Sequence, residues 1–245
     1  MRKLDRRAIR ALDGPELELY HLLKKSEIIG FVGIAELCAA LAAPVIELVV
    51  FSCLDSIKGK EELRLDLSET YFFRSRKFKE LVNLAALMHQ IKPVLVTAIL
   101  PDLEPSRTWG WSTPIDELTL TCQLMIEDHE SQLPDNWRIM CWSELETDPN
   151  AYTEALTWVN RPDQRINVHQ EATYLRRFPD ILFAGGVEEA ARCQIAAYAH
   201  EGKTLEHLLP NAILVQSENP PERKDRIYQP LRRQLLPIIH PFKNQ

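Results

Sequence analysis

Ser52, Cys53, Asp55 and Ser56 bring hydroxyls, a thiol and a carboxylate together immediately after the apolar run Val45 to Phe51. A hydroxyl or thiol beside groups that can move a proton is a candidate site for nucleophilic chemistry. A neighbouring carboxylate such as Asp55 keeps a thiol protonated, which favours Ser52 over Cys53 as the nucleophile. In open parallel sheets chemistry collects in the crevice beyond the carboxyl ends of the strands, where these side chains would emerge. The same residues also describe an ordinary polar turn after a buried strand.

The elements that must position this cluster follow from hydrophobic spacing. Val45 to Phe51 is apolar and rich in β-branched residues, a composition suited to a strand buried on both faces. Pro93 to Leu100, Trp137 to Trp142 and Ala212 to Gln216 are further strands. Between them, helical spacing predicts helices over 74–90, from after Pro114 to about 131, and over 150–159, 168–183 and 186–202. A short basic helix over 1–12, a second opened by Pro15 and a largely buried one over 28–42 precede the first strand. Residues 58–67 are charged and read as an exposed loop. Strands alternating with helices predict one α/β domain with a mainly parallel, Rossmann-like sheet, an N-terminal helical extension over 1–43 and a Pro-rich tail over 219–245.

At 245 residues and 45% hydrophobic content the chain can bury one full core. Its net charge of −6 gives no overall attraction for nucleic acid, so local basic patches would have to supply it. Five scattered cysteines without a C-x-x-C argue for a reducing compartment and against a disulfide framework or zinc site. Residues 28–54 are strongly apolar, but Glu36, Pro44 and Glu47 interrupt them, which opposes a membrane span. No signal-peptide pattern follows the basic start, and the expectation is a soluble, cytoplasmic protein.

The glycine-based phosphate cradles are absent: neither G-x-G-x-x-G nor G-x-x-x-x-G-K-[ST] occurs, and the chain holds only 8 glycines. There is no G-x-S-x-G elbow, and no two histidines stand at i, i+4. Gly185-Gly186 precedes a helix but by itself describes a turn.

Ser52-Cys53-Leu54-Asp55-Ser56 is similar to the S-x-x-N-S segment after the first strand of tRNA-dependent cyclodipeptide synthases. Tyr71-Phe72-Phe73, after an insertion, resembles the aromatic opening of that family's next helix. Trp142-Ser143-Glu144-Leu145, ending a strand and leading into a helix, resembles its Ser-Glu-Leu segment. Tyr198 and Glu201 resemble the Tyr/Glu-bearing helix before its last strand. The likeness spans about residues 45–218. Asp55 replaces the usual Asn, and Tyr198 and Glu201 are three apart where the family spaces them by four. Glu117, Glu127, Asp128 and Glu130 stand where its third helix tends to be basic. These departures resemble an outlying branch, such as the arginine-using enzymes.

The resemblance implies a fold like the catalytic domain of class I aminoacyl-tRNA synthetases without an ATP site, and no cofactor or metal. Ser52 would attack the ester of one aminoacyl-tRNA, and the amine of a second would attack the acyl group before the dipeptidyl intermediate cyclises. Glu201 would anchor an α-ammonium group and Tyr198 would position or shuttle a proton. Asp55, Ser56, Tyr71 and Gln216 would bind substrate. Arg74, Arg76, Lys77 and Lys79 would meet tRNA phosphates, with Arg176-Arg177 and Arg232-Arg233 as further cations. Acids at 61, 62, 66 and 69, with Asp55, would suit an arginyl substrate.

Each assignment has a plainer counterpart. Tyr198 and Glu201 also fit an amphipathic helix with a solvated Glu, and the basic cluster fits a solvated face. Two other functions fit the same scaffold. One is a non-catalytic assembly protein that uses Trp109-Gly110-Trp111 and the tail from Pro237 to Pro241. The other is a nucleotide- or sugar-dependent transferase.

Overall fold

The computed structural model describes residues 3–25, 34–51, 76–100, 102–103, 115–131, 133–148, 150–177, 183, 185–215 and 238–239. Three helices lead in: α1 (Lys3–Arg10), α2 (Gly14–Lys25) and α3 (Ile34–Ala42). Then come β1 (Ile46–Phe51), α4 (Arg76–Ile91), β2 (Val94–Leu100), α5 (Ile115–Glu130), β3 (Trp137–Cys141) and the one-turn α6 (Trp142–Leu145). Helices α7 (Ala151–Val159), α8 (Arg165–Leu175) and α9 (Val187–Leu208) follow, before β4 (Ile213–Val215) and β5 (Ile238–Ile239).

The sheet is parallel throughout, in the order β3-β2-β1-β4-β5. Strand order reverses at β1: β2 and β3 build outward on one side, β4 and β5 on the other. The crevice at such a reversal is where open α/β sheets bind ligands. Phe51 ends β1 and Val215 ends β4, and Val50 stands in register with Val215. Ser52 and Gln216, the next residues in the chain, lie outside the described residues.

Side chains alternate across the pleat and divide the core in two. Ile46, Leu48 and Val50 of β1, Val94, Val96 and Ala98 of β2, and Ile213 and Val215 of β4 face α1 to α4 in a wholly apolar cluster. Val49 and Ile99 face the other way, onto Leu103, Trp142, Leu145 and Leu205. A third cluster joins α7, α8 and α9 through Ala155, Val168, Ala172, Ala191, Ile195 and Tyr198.

Several boundaries differ from the sequence expectation. Helix α9 continues to Leu208 rather than ending near 202, because Leu205 is buried against the second face of the sheet. That burial is worth roughly 2 kcal/mol, against about 1 kcal/mol lost at Gly202. Helix α8 starts at Arg165 rather than 168, fed by a 3₁₀ turn at Pro162–Gln164 with Pro at its first position, and it ends at Leu175. The strand before α6 stops at Cys141, and Trp142 already opens the helical turn. Within the Pro-rich tail, Ile238 and Ile239 pair with Leu214 and Val215 as a parallel edge strand.

Among the described residues no helix is long and apolar enough to cross a membrane. The described part of the apolar stretch over 28–54 is divided between α3 and β1.

Candidate functional site at the carboxyl ends of the strands

Helix α9 is the main scaffold on the second side of the sheet. Gly185 and Gly186 both adopt positive φ, 74° and 86°, so the chain turns sharply into the helix. A Cβ on Gly185 would also press on Glu189 Cγ at 3.1 Å. Glu188 and Glu189 then complement the partial positive charge of the first turn. The pair is thus a turn and a helix entry at once.

From Gln194 to Glu201 every residue of α9 is buried, so the helix is enclosed on all sides here. Only four residues separate its end from parallel strand β4, so α9 runs antiparallel to the strands. Leu205 shares a buried cluster with Val49 and Ile99. Seven residues back toward the helix start, about 10 Å at helical rise, stands Tyr198. Two residues forward from Val49, about 7 Å along the strand, β1 ends. The Tyr198–Glu201 turn therefore lies at the level of the strands' carboxyl ends. His200 confirms the placement, with its ring edge-on to Trp142, the first residue after β3, at 5.7 Å between centroids.

Tyr198 is 9% exposed and Glu201 5%, which excludes the solvated-face alternative for this helix. At three residues' spacing they share a face. Gln194, one turn earlier and 6% exposed, donates from Nε2 to the Tyr198 hydroxyl at 2.8 Å. Sequence reasoning missed Gln194; its signal was the i, i+4 spacing to Tyr198.

His200 was missed too. Its Nε2 lies 3.1 Å from Glu146 Oε2, which also accepts a 3.1 Å hydrogen bond from Trp142 Nε1. Tyr152 stands edge-on to the same imidazole at 6.4 Å. These contacts tie α6, α7 and α9 together directly beside Glu201.

At the ends of β2 and β3, Asp102 is fully buried. Its Oδ1 accepts from the Ser143 backbone N–H at 3.0 Å, and its Oδ2 from Ser143 Oγ at 2.6 Å and Thr119 Oγ1 at 2.9 Å. Glu144 accepts from the Cys141 N–H at 2.9 Å and closes the strand-to-helix turn. The Ser-Glu-Leu segment is thus a fastened corner, with Asp102 as the clasp. Only the strand-ending pattern marked it in the sequence.

Four cysteines, Cys38, Cys122, Cys141 and Cys193, are free thiols. Hydrogen bonding with Cys122 and burial hold the Cys141 thiol far above its ordinary range. Burial also pushes Cys193 up. Neither has the character of a thiolate nucleophile. No group of three or more potential metal ligands occurs among the described residues.

The remaining candidates divide plainly. Ser52, Asp55, Ser56, Tyr71, Gln216 and Arg74 lie outside the described residues, as do Cys53, the Trp109–Trp111 loop and Arg232-Arg233. Arg76 and Lys77 open α4, where only the backbone is described, and Lys79 is exposed in its first turn. Arg177 stacks over Tyr174 at 5.9 Å, and Arg176 lies 3.9 Å from Glu188, so both are already engaged at the end of α8.

No protein-family model matches the chain, and no curated protein matches it in sequence. Among solved structures it is similar to a CDPS, or cyclodipeptide synthase, from Fluoribacter dumoffii. The TM-score is 0.51 at 12% identity, over 79% of this chain and 88% of that one. A tyrosyl-tRNA synthetase from Leishmania major in complex with tyrosinol aligns at a TM-score of 0.45 and 11% identity, over 84% of this chain but 33% of the synthetase. The first likeness establishes a shared α/β fold with a parallel sheet; the second is too distant to carry an argument.

Proposed function

We propose that the chain is an aminoacyltransferase that joins two aminoacyl groups delivered on tRNA into a cyclic dipeptide. The observation that carries this reading is the buried Tyr198–Glu201 face of α9, at the level where β1 ends and one residue before Ser52 in the chain. The fold shared with the Fluoribacter dumoffii CDPS supports it.

In this reading the Ser52 hydroxyl attacks the ester carbonyl of one aminoacyl-tRNA. The ester C–O bond breaks, the tRNA leaves as its free hydroxyl, and the serine proton passes to it. The amine of a second aminoacyl-tRNA then attacks the acyl group and returns the hydroxyl to Ser52. The free amine of the resulting dipeptidyl-tRNA closes on its own ester, releasing the ring and the second tRNA. Every step is acyl transfer between oxygen and nitrogen, so no redox or phosphate chemistry is required. Glu201 holds the α-ammonium of the bound aminoacyl group, and Tyr198 orients the proton transfer. Burial strengthens both roles, since a charge pair is attenuated far less away from water.

Arg74, Arg76, Lys77 and Lys79 supply the tRNA phosphate contacts. Asp55 and the acids at 61, 62, 66 and 69 favour a guanidinium, which pairs with carboxylates through two parallel hydrogen bonds. One of the two residues joined is therefore arginine.

Expression in a bacterial host followed by mass spectrometry of the extracts tests the reading. New diketopiperazines that disappear with Ser52→Ala are expected; their absence, with aminoacyl-tRNA present, overturns it. Feeding tRNA pools charged with one amino acid at a time tests the substrate. Full activity without arginyl-tRNA removes the arginine assignment.

A further inference from the structure

Gln194, Tyr198 and Glu201 fall at i, i+4 and i+7 on α9, a spacing that lines three side chains along one helix face. All three are more than nine-tenths buried. Gln194 spends its amide N–H on the Tyr198 oxygen. The other end of the same amide, Oε1, is buried and meets no hydrogen-bond donor among the described residues. A buried acceptor left in that state is costly, and native proteins keep one where something else supplies the donor.

We propose that Gln194 belongs to the site: its amide nitrogen positions the Tyr198 phenol, and its carbonyl oxygen accepts an N–H from the ligand's ammonium group. The inference rests on the reading above and adds to it a residue that the Tyr/Glu pair alone does not predict. The chemistry of the face selects the ligand class. Along it stand an amide oxygen, a phenol oxygen and a carboxylate, a set dominated by acceptors. A primary ammonium carries three donors and no acceptor, so it satisfies such a set where a hydroxyl, with one donor, does not. Gln194 also resolves an ambiguity at Tyr198. By donating to the phenol oxygen it occupies one of that oxygen's acceptor sites and turns the phenolic proton away from α9's amino end.

The test uses the full chain and Gln194→Met, which removes both polar atoms at nearly constant volume. Two readouts are independent of turnover. The first is the phenolic C–O stretch of Tyr198, isolated as the infrared difference between wild type and Tyr198→Phe with ring-labelled tyrosine. It should shift in Gln194→Met. The second is binding of L-phenylalanine methyl ester against methyl phenyllactate, which differ only in ammonium versus hydroxyl. Wild type should prefer the ammonium ester, and Gln194→Met should lose about ten- to a hundredfold of that preference, the worth of one charge-assisted hydrogen bond. An unmoved C–O band, no preference in wild type, or a preference unchanged in the variant would each overturn the proposal. Failure of the two readings is distinguishable. Diketopiperazine production with an inert Gln194 removes this inference alone. Lost ammonium preference without any diketopiperazine removes the cyclodipeptide reading alone.

Discussion

The two faces of the sheet are built from the same strands and differ in what they bury. The face under α1 to α4 buries a large apolar cluster, with Leu19, Leu23, Leu41, Leu48 and Met88 wholly enclosed. Among the described residues the buried polar side chains are Thr97, Asp102, Gln164, Glu171, Gln194, His200 and Glu201. Thr97 alternates in β2 with Val96 and Ala98 and so points to the other face, and the rest belong to the elements on that side. Burying polar groups costs free energy unless each finds a partner, so one face has been optimised for packing and the other carries a polar cluster at its own expense.

The second face is itself graded along the strands. At its amino end, Arg138 pairs with Glu47 across β1 and β3, and both bond to Thr97, in a partly exposed ladder. At its carboxyl end the polar groups are enclosed. Only there does burial give a charge the leverage that catalysis needs.

Substitutions on the two faces should therefore fail differently. Glu201→Gln keeps the shape of the side chain and removes its charge. It is expected to lower product formation about a hundredfold or more while the melting curve stays near wild type. A variant that unfolds instead would make Glu201 structural. Leu48→Ala, on the apolar face, is expected to cost about 2–5 kcal/mol in denaturant unfolding, with the surviving folded fraction as active as wild type.

Asp102→Asn lies between these extremes. The carboxylate serves three donors, and an amide must turn its own donor toward one of them. Unfolding should be easier by about 2 kcal/mol, the range of hydrogen bonds to a charged group.

How much of this was legible in the sequence follows the same division. The apolar face announces itself, because an uninterrupted β-branched run such as Val45 to Phe51 has few other uses. Its alternation with helices gave the parallel α/β architecture. The Tyr198–Glu201 pair was visible as spacing. Its burial was not, since Glu on a helix is usually solvated and only the folded chain encloses it. Asp102 and Ser143 are 41 residues apart, and His200 lies on α9 while Glu146 follows α6, so no local pattern announces either contact. The two-residue β5 is shorter than any periodicity can signal, and it depends wholly on the edge that β4 offers.

The smallest expected effect lies at the rim of the apolar face. The Lys92 ammonium, 2.7 Å away, holds the Glu16 carboxyl below its ordinary range. The stability this adds is present above the ordinary carboxylate value and is lost as pH falls through the lowered folded value. Lys92→Met should therefore flatten the acid side of the stability profile slightly, as read by urea unfolding at a series of pH values. An unchanged acid limb would mean that the pair adds nothing measurable, as exposed ion pairs often do.

The central claim of the proposed function is that acyl transfer begins at Ser52. Intact-mass spectrometry of the protein after brief incubation with charged tRNA tests it most directly. The account predicts an added aminoacyl mass that maps by peptide analysis to Ser52, persists in Glu201→Gln at reduced yield and is absent from Ser52→Ala. An adduct on Cys53 or Ser68, or none under conditions where the tRNA remains charged, would contradict it.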